Sequence, residues 1–300
     1  MINYKLFKEK GLNIKNIKKI KSVYLISDGR RSYIVKEHKN DINNIYDYLI
    51  SRSFNSFPNY YKIDNYDVYD YINDSNISEE ERLYELTNLI SVLHLKTTRF
   101  KSIDIDDYKI IYEKLLKKIE YLNNYYMTLN DSIDNEIYMS PSYYLLVRNI
   151  SKIYGALSFC RNELDNWYEL IKNSSRQRVV LIHNNIDLSH ILFNKTPYLI
   201  SWNKSKIDLP IYDLVKIYDK YYQKIDFDIL LNHYQKKYPL TIEELKLLFI
   251  MISIPRKIEF TNNEINNIKA VKKLIEKIER GDKLIRPYYK KEEKVKSTKK

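Results

Sequence analysis

The hydrophobic period of the chain changes three times before residue 100, and the changes divide it. In SVYLIS at 22–27 and RSYIVK at 31–36, apolar and polar positions alternate around Asp28-Gly29. Alternation on both sides of a turn dipeptide predicts a β-hairpin. Residues 41–53 read as a helix, opened by Asp41 with N-cap character. NYYKIDNYDVYDYI at 59–72 returns to two short strands, so a small sheet with one helix is expected over residues 1–72.

From Ser78 the period becomes helical. Ser78 and Glu81 have capping-box spacing, and Leu83, Leu86, Leu89, Ile90 and Leu93 recur on one face up to His94. Amphipathic helices are predicted over 110–130 and 142–173, a β interval over 179–202, and helices again from Leu209 to about Arg280. After Pro287 the run YYKKEEKVKSTKK has no apolar period and reads as disordered. The expected plan is α+β: a small sheet lobe at 1–72, a helical lobe at 73–286 and a basic disordered tail at 287–300, with no internal repeat.

Composition narrows the class. Three hundred residues, 44% of them apolar, can bury one or two cores. Thirty tyrosines against four glycines is a bias of the whole chain, so a single tyrosine says little about function. The longest apolar run, 247–254, is far short of the roughly 20 residues a membrane helix needs, and no span is expected. No apolar stretch follows the N-terminal lysines, so no secretory signal is read. Cys160, the one cysteine, lies in the helical stretch SFCRNEL; it reads as a buried thiol, and a cytoplasmic location follows.

The net charge of +12 is uneven. Seven lysines against one glutamate in residues 1–22, and six against two in residues 288–300, place ten of the twelve charges at the two ends. The nearly neutral body excludes a nucleic-acid groove, which needs basic residues on a structured face. Solvated ends, or a tether to an acidic partner, account for the excess.

Candidate chemistry concentrates in VVLIHNNIDLSHILFNKTPYLISWNKSKIDLPIYDLVKIY, from Val179. Two apolar runs flank a polar loop, and a proline-containing link leads into an amphipathic helix. The segment resembles the catalytic stretch of the aminoglycoside and choline kinase superfamily, a branch of the protein-kinase-like fold. That pattern runs His-Gly-Asp-x-x-x-x-Asn-[Ile/Val]-Leu, then Ile-Asp-[Trp/Phe], then Asp-Pro-x-x-Asp-Leu. In phrasing it is most like kinase-like proteins associated with bacterial spore coats. LISVLHLKT at 89–97 resembles the family's helix that ends in Leu-His, SIPRKIEF at 253–260 resembles a helix segment of the spore-coat branch, and the likeness extends over about residues 10–286.

Laid onto the pattern, His183 matches the motif histidine, Ile191-Leu192 the apolar pair, and Asp213-Leu214 the closing Asp-Leu. The resemblance implies that His183 supports the loop backbone and that Asp213, at a helix start, hydrogen-bonds that loop. The position of the base aspartate holds Asn185, that of the metal-binding asparagine holds His190, and that of the second metal aspartate holds Ser201. A carboxamide has no titratable acceptor at neutral pH, and Mg²⁺ prefers hard oxygen ligands. Lys36 falls where the family places its phosphate-pairing lysine. The helix after it offers no glutamate as partner, only Asp41 or Asp47.

The resemblance therefore implies a two-lobed kinase-like fold without catalysis, and without ATP or Mg²⁺ as cofactor. Such a pseudokinase would bind other proteins, spore-coat components among them, in the cytoplasm or deposited on the coat. The alternative is a divergent ATP- and Mg²⁺-dependent phosphotransferase in which Asp187 replaces the base and Asp208 supplies a metal oxygen. Against it, two residues of extended chain move a carboxylate by roughly 6 to 7 Å. A transition-metal site from His183, His190 and another histidine is the third reading. His94 reads as a packed helix histidine.

Overall fold

The computed structural model describes residues 4–9, 12, 14–20, 22–38, 43–102 and 105–297. The chain begins with α1 (Tyr4–Glu9), β1 (Asn16–Ile20), β2 (Val23–Ser27), β3 (Ser32–Glu37), α2 (Asn43–Ser51), β4 (Tyr60–Ile63) and β5 (Tyr66–Asp70). It continues with α3 (Glu79–Thr97), β6 (Arg99–Ser102), α4 (Ile105–Asp134), α5 (Pro141–Arg148), α6 (Ile150–Ile171) and β7 (Arg176–Ile182). After a 3₁₀ turn at Leu188–His190 come β8 (Ile191–Asn194) and β9 (Thr196–Leu199). A second 3₁₀ turn at Trp202–Lys204 leads to β10 (Lys206–Asp208), and four helices follow: α7 (Ile211–Tyr221), α8 (Phe227–Gln235), α9 (Ile242–Ser253) and α10 (Glu264–Ser297).

The described residues form two compact units. One gathers Met1–Thr98, Val180–Asp208 and Asn232–Tyr238; the other gathers Arg99–Val179, Leu209–Leu231 and Pro239–Lys300. The first is built on an antiparallel sheet of order β1-β2-β3-β5-β4. Its core face carries Ile26, Tyr33, Val35, Ile63 and Val68, covered by Phe7 and Leu12. Alternation assigns Ile34 and Lys36 to the other face.

The expected hairpin is β2–β3. Asp28 Oδ1 accepts from the N–H groups of Arg30 (2.7 Å) and Arg31 (2.6 Å), and Gly29 takes φ +91°, where a Cβ would strike the Lys15 side chain. The expected strands at 59–72 are β4 and β5. α1 and β1 were not expected: β1 is an exposed edge whose lysines mask any alternation. Asp41, the expected cap of α2, lies outside the described residues.

In α3, Ser78 Oγ accepts from the Glu81 N–H (3.2 Å), and the predicted leucine stripe is buried. The single helix expected over 142–173 is in fact two. Ser140 caps α5 with Pro141 in its first turn, and the backbone leaves the helix at Asn149 (φ −114°, ψ 8°) before α6. Cys160 is fully buried with Sγ 3.6 Å from the Ile250 carbonyl, and burial pushes its thiol up. The disordered tail expected from Pro287 needs correction: α10 continues past that proline to Ser297. Tyr288 packs on Phe249 (4.9 Å between centroids), Tyr289 on Phe159 (5.5 Å), and the Tyr289 hydroxyl donates to Glu163 (2.6 Å). Two tyrosines discounted as compositional bias supply the anchoring. Among the described residues no helix is long and apolar enough to cross a membrane.

Candidate functional site

The polar loop after β7 is held at both ends. β7 and β10 pair through Ile182–Lys206, Leu181–Ile207 and Val180–Asp208, and the buried end of β7 delivers His183, which is wholly buried. A carbonyl can only accept, so His183 Nε2–H donates to Ile200 O (2.9 Å); the ring also meets Trp202 edge-on at 4.9 Å. Asn184 follows at φ +59°, a left-handed conformation that asparagine tolerates and glycine favours. Its Nδ2 donates to Lys204 O (2.8 Å).

Asn185, His190 and Ser201 converge here. Asn185 Nδ2 donates to Ser201 O (3.2 Å), and the Asn185 carbonyl accepts from His190 Nδ1–H (2.7 Å). His190 O accepts from the Ile200 N–H (3.0 Å), which closes the loop on the strand that leads to Ser201. Ser201 itself is left-handed (φ +68°, ψ 49°), and its hydroxyl caps nothing in the 3₁₀ turn that follows.

The two carboxylates of the rerouted reading are engaged elsewhere. Asp187 Oδ1 caps the 3₁₀ turn, accepting from the Ser189 N–H (2.9 Å) and hydroxyl (2.7 Å). Asp208 pairs with Lys206 Nζ (2.6 Å). The two metal-ligand positions do not fit Mg²⁺, since the imidazole of His190 offers nitrogen and Ser201 a neutral hydroxyl where the motif frame has an amide oxygen and a carboxylate. Among the described residues no group of three or more His, Cys, Asp or Glu could hold a metal ion. His183 and His190 each donate one ring N–H to a carbonyl, and their centroids lie 6.4 Å apart.

α3 and the segment before it brace this loop. Arg82 donates to Ile191 O (2.7 Å) and pairs with Asp74 (3.1 Å), whose Oδ1 accepts from the Phe193 N–H (2.7 Å). Ser75 N–H donates to Phe193 O (2.7 Å), and Leu199 N–H to Ser56 O (2.8 Å). None of these partners carries a motif, and only the fold brings them together.

Lys36 lies on the sheet face opposite the Val35 core, directly across the ladder from Asp67. Its ammonium sits 5.0 Å from the Tyr69 ring centroid. Burial lowers its pKa from the ordinary lysine value, with the Asp67 charge opposing. Asp67 is 3% exposed and accepts from His38 Nδ1 (2.7 Å) and the Tyr60 hydroxyl (3.0 Å). Tyr46 of α2 stacks on Tyr60 at 4.6 Å. Of the carboxylates expected near Lys36, Asp47 is exposed and Asp41 lies outside the described residues. Sequence reasoning missed Asp67, because its signal is the register of β3 against β5, which are not consecutive strands.

Asp213 is fully buried in the first turn of α7. His94 is buried too, with Nδ1 2.7 Å from the Tyr234 hydroxyl and its ring against Tyr234 and Tyr238. It is a packed histidine, as expected.

No protein-family model matches the chain, and no curated protein sequence does. Solved structures do. An aminoglycoside phosphotransferase from Alicyclobacillus acidocaldarius aligns at TM-score 0.70 and 11% identity, over 97% of this chain and 96% of that one. A spectinomycin phosphotransferase bound to AMP aligns at 0.52 and 14%, over 93% and 96%. At these identities the likeness is of fold: a small antiparallel sheet region and a larger helical part, consistent with the kinase-like fold that the motif frame implied.

Proposed function

We propose that this chain is a kinase-fold protein that does not transfer phosphate, a pseudokinase that acts by binding other proteins. The observation that carries the reading is the closed loop: Asn185 donates to Ser201 O, and His190 donates to Asn185 O. On the motif frame these three residues occupy the base and the two metal-ligand positions. Phosphoryl transfer in this fold relies on positioning and on metal-borne charge neutralisation, so losing every ligand removes most of what the site contributes. The carboxylates that would serve a divergent phosphotransferase cap the loop or pair with lysine. The partners are proteins, with spore-coat components the class that the sequence resemblance suggests. The site of action is the cytoplasm or the assembling coat.

Thermal denaturation with and without millimolar ATP and Mg²⁺ tests this. A ligand at about 100 times its Kd stabilises a folded protein by about 2.7 kcal/mol, an easily read shift, and none is expected. Metal-dependent stabilisation that disappears in Lys36→Ala would overturn the reading in favour of the enzyme.

A further inference from the structure

A cavity of about 160 Å³ lies within the helical unit, where the start of β7 meets α4, α6 and the first turn of α9. Tyr108 and Trp167, 7% and 2% exposed, form one wall, their rings edge-to-face at 6.0 Å. Neither the Tyr108 hydroxyl nor the Trp167 Nε1–H has a hydrogen-bond partner among the described residues. Both donors are open to the cavity, and two unengaged donors on one wall mark a place for an acceptor.

The charges around the cavity sort into a used pair and an unused pair. Arg178 forks onto Glu244, with Nε to Oε1 at 2.9 Å, and the two neutralise each other. Arg176 and Glu243 also line the cavity, and neither has an ion-pair partner among the described residues. Burial, with the carboxylates of Glu243 and Glu244, raises the Tyr108 pKa, so its hydroxyl stays a donor. Phe100 (67% exposed), Ile171 and Leu247 supply the apolar lining.

We propose that this cavity binds a small zwitterion, an α-amino acid with a branched or aromatic side chain. Its carboxylate accepts from Arg176, the Tyr108 hydroxyl and the Trp167 indole, and its ammonium faces Glu243. Its side chain lies against Phe100 and Leu247. The size is suitable, since a cavity of about 150 Å³ admits one benzene ring. The cavity shares no residue with the Asn185 loop, and its fate leaves the pseudokinase reading untouched.

The test uses the full chain labelled with ¹⁵N, with the two indole resonances assigned through Trp202→Phe. L-leucine and L-phenylalanine, titrated to about 10 mM and thus through the millimolar range of weak ligands, are expected to move the Trp167 resonance saturably. N-acetyl-L-leucine and L-leucinamide, each lacking one charge, and the variant Glu243→Gln are expected to bind at least about tenfold more weakly. No saturable shift with either amino acid overturns the proposal. Equal binding by the two derivatives overturns it too, as does undiminished affinity in a folded Glu243→Gln.

Discussion

Lys36 stands on the motif frame at the phosphate-pairing position, and its surroundings in the sheet set the cost of its charge. Its ammonium lies over the Tyr69 ring, and its depressed pKa means that the fold penalises the charged form. A lysine whose folded pKa falls below the unfolded value carries that penalty at neutral pH and sheds it as pH rises through the folded pKa. Lys36→Met should therefore leave the urea midpoint unchanged or raise it, because a buried charge is exchanged for apolar packing. Asp67→Ala should instead cost about 2 to 3 kcal/mol, because it strips His38 and Tyr60 of a buried acceptor. Strong destabilisation by Lys36→Met would mean that the lysine, not the carboxylate, organises this cluster.

Asn185 and Asp213 offer a second comparison at this scale. Asp213 is fully buried, whereas Asn185 is half-buried and contributes an amide bond to Ser201 O. Asp213→Ala is expected to cost about 1 to 3 kcal/mol and Asn185→Ala about 1, in urea melts of the two variants. The reverse order would show that the loop is built around Asn185 and that its role does not follow from the motif frame. The positions of these side chains could be read from the sequence. Their hydrogen bonds could not, since a left-handed Asn184 and Ser201 decide where the amide and imidazole point.

Among the elements, α10 departs furthest from what the sequence suggested. A proline and a lysine-rich run read as a stop, yet the helix continues because its next two residues find seats on α6 and α9. Glu163 is the polar centre of that seat, with Tyr289 at 2.6 Å, Lys246 at 3.0 Å and Asn166 at 3.0 Å. Burial works against its charge, but the hydrogen bonds from Tyr289, Lys246 and Asn166 outweigh it and hold the pKa below the usual glutamate value. A depressed carboxyl pKa stabilises above the unfolded value, about 4.3, and that stability is lost as pH falls through the folded pKa. Truncation after Arg286 should accordingly cost about 2 to 4 kcal/mol at pH 7, from two aromatic contacts and one charge-assisted hydrogen bond. The difference between full-length and truncated chains should shrink below about pH 4 as Glu163 protonates. A truncated chain as stable as the full one at pH 7 would mean that the two tyrosines dock without holding anything. The break between α5 and α6 has a similar origin: the apolar period runs through Asn149, and only the backbone there leaves the helix.

At the scale of the whole molecule, local pattern carried the fold class well. The β2–β3 hairpin, the leucine stripe of α3 and the β interval after Val179 are each set by neighbours in sequence. What pattern could not carry is the grouping of Val180–Asp208 with the sheet, because the bonds responsible join residues far apart in the chain. Arg82 reaches Ile191 O across 109 positions and holds Asp74, which in turn caps the Phe193 N–H. Truncating Arg82 leaves a buried carbonyl without its donor and frees the aspartate that positions β8, an expected loss of about 2 kcal/mol. The loss should be local before it is global, since opening free energies differ between parts of a fold. In Arg82→Ala, native-state hydrogen exchange should therefore speed up at the amides of Phe193 and Leu199 while those of β2 and β3 keep their protection. Uniform acceleration across the unit would show that the motif segment and the sheet open together, and that Arg82 secures the sheet as much as the loop.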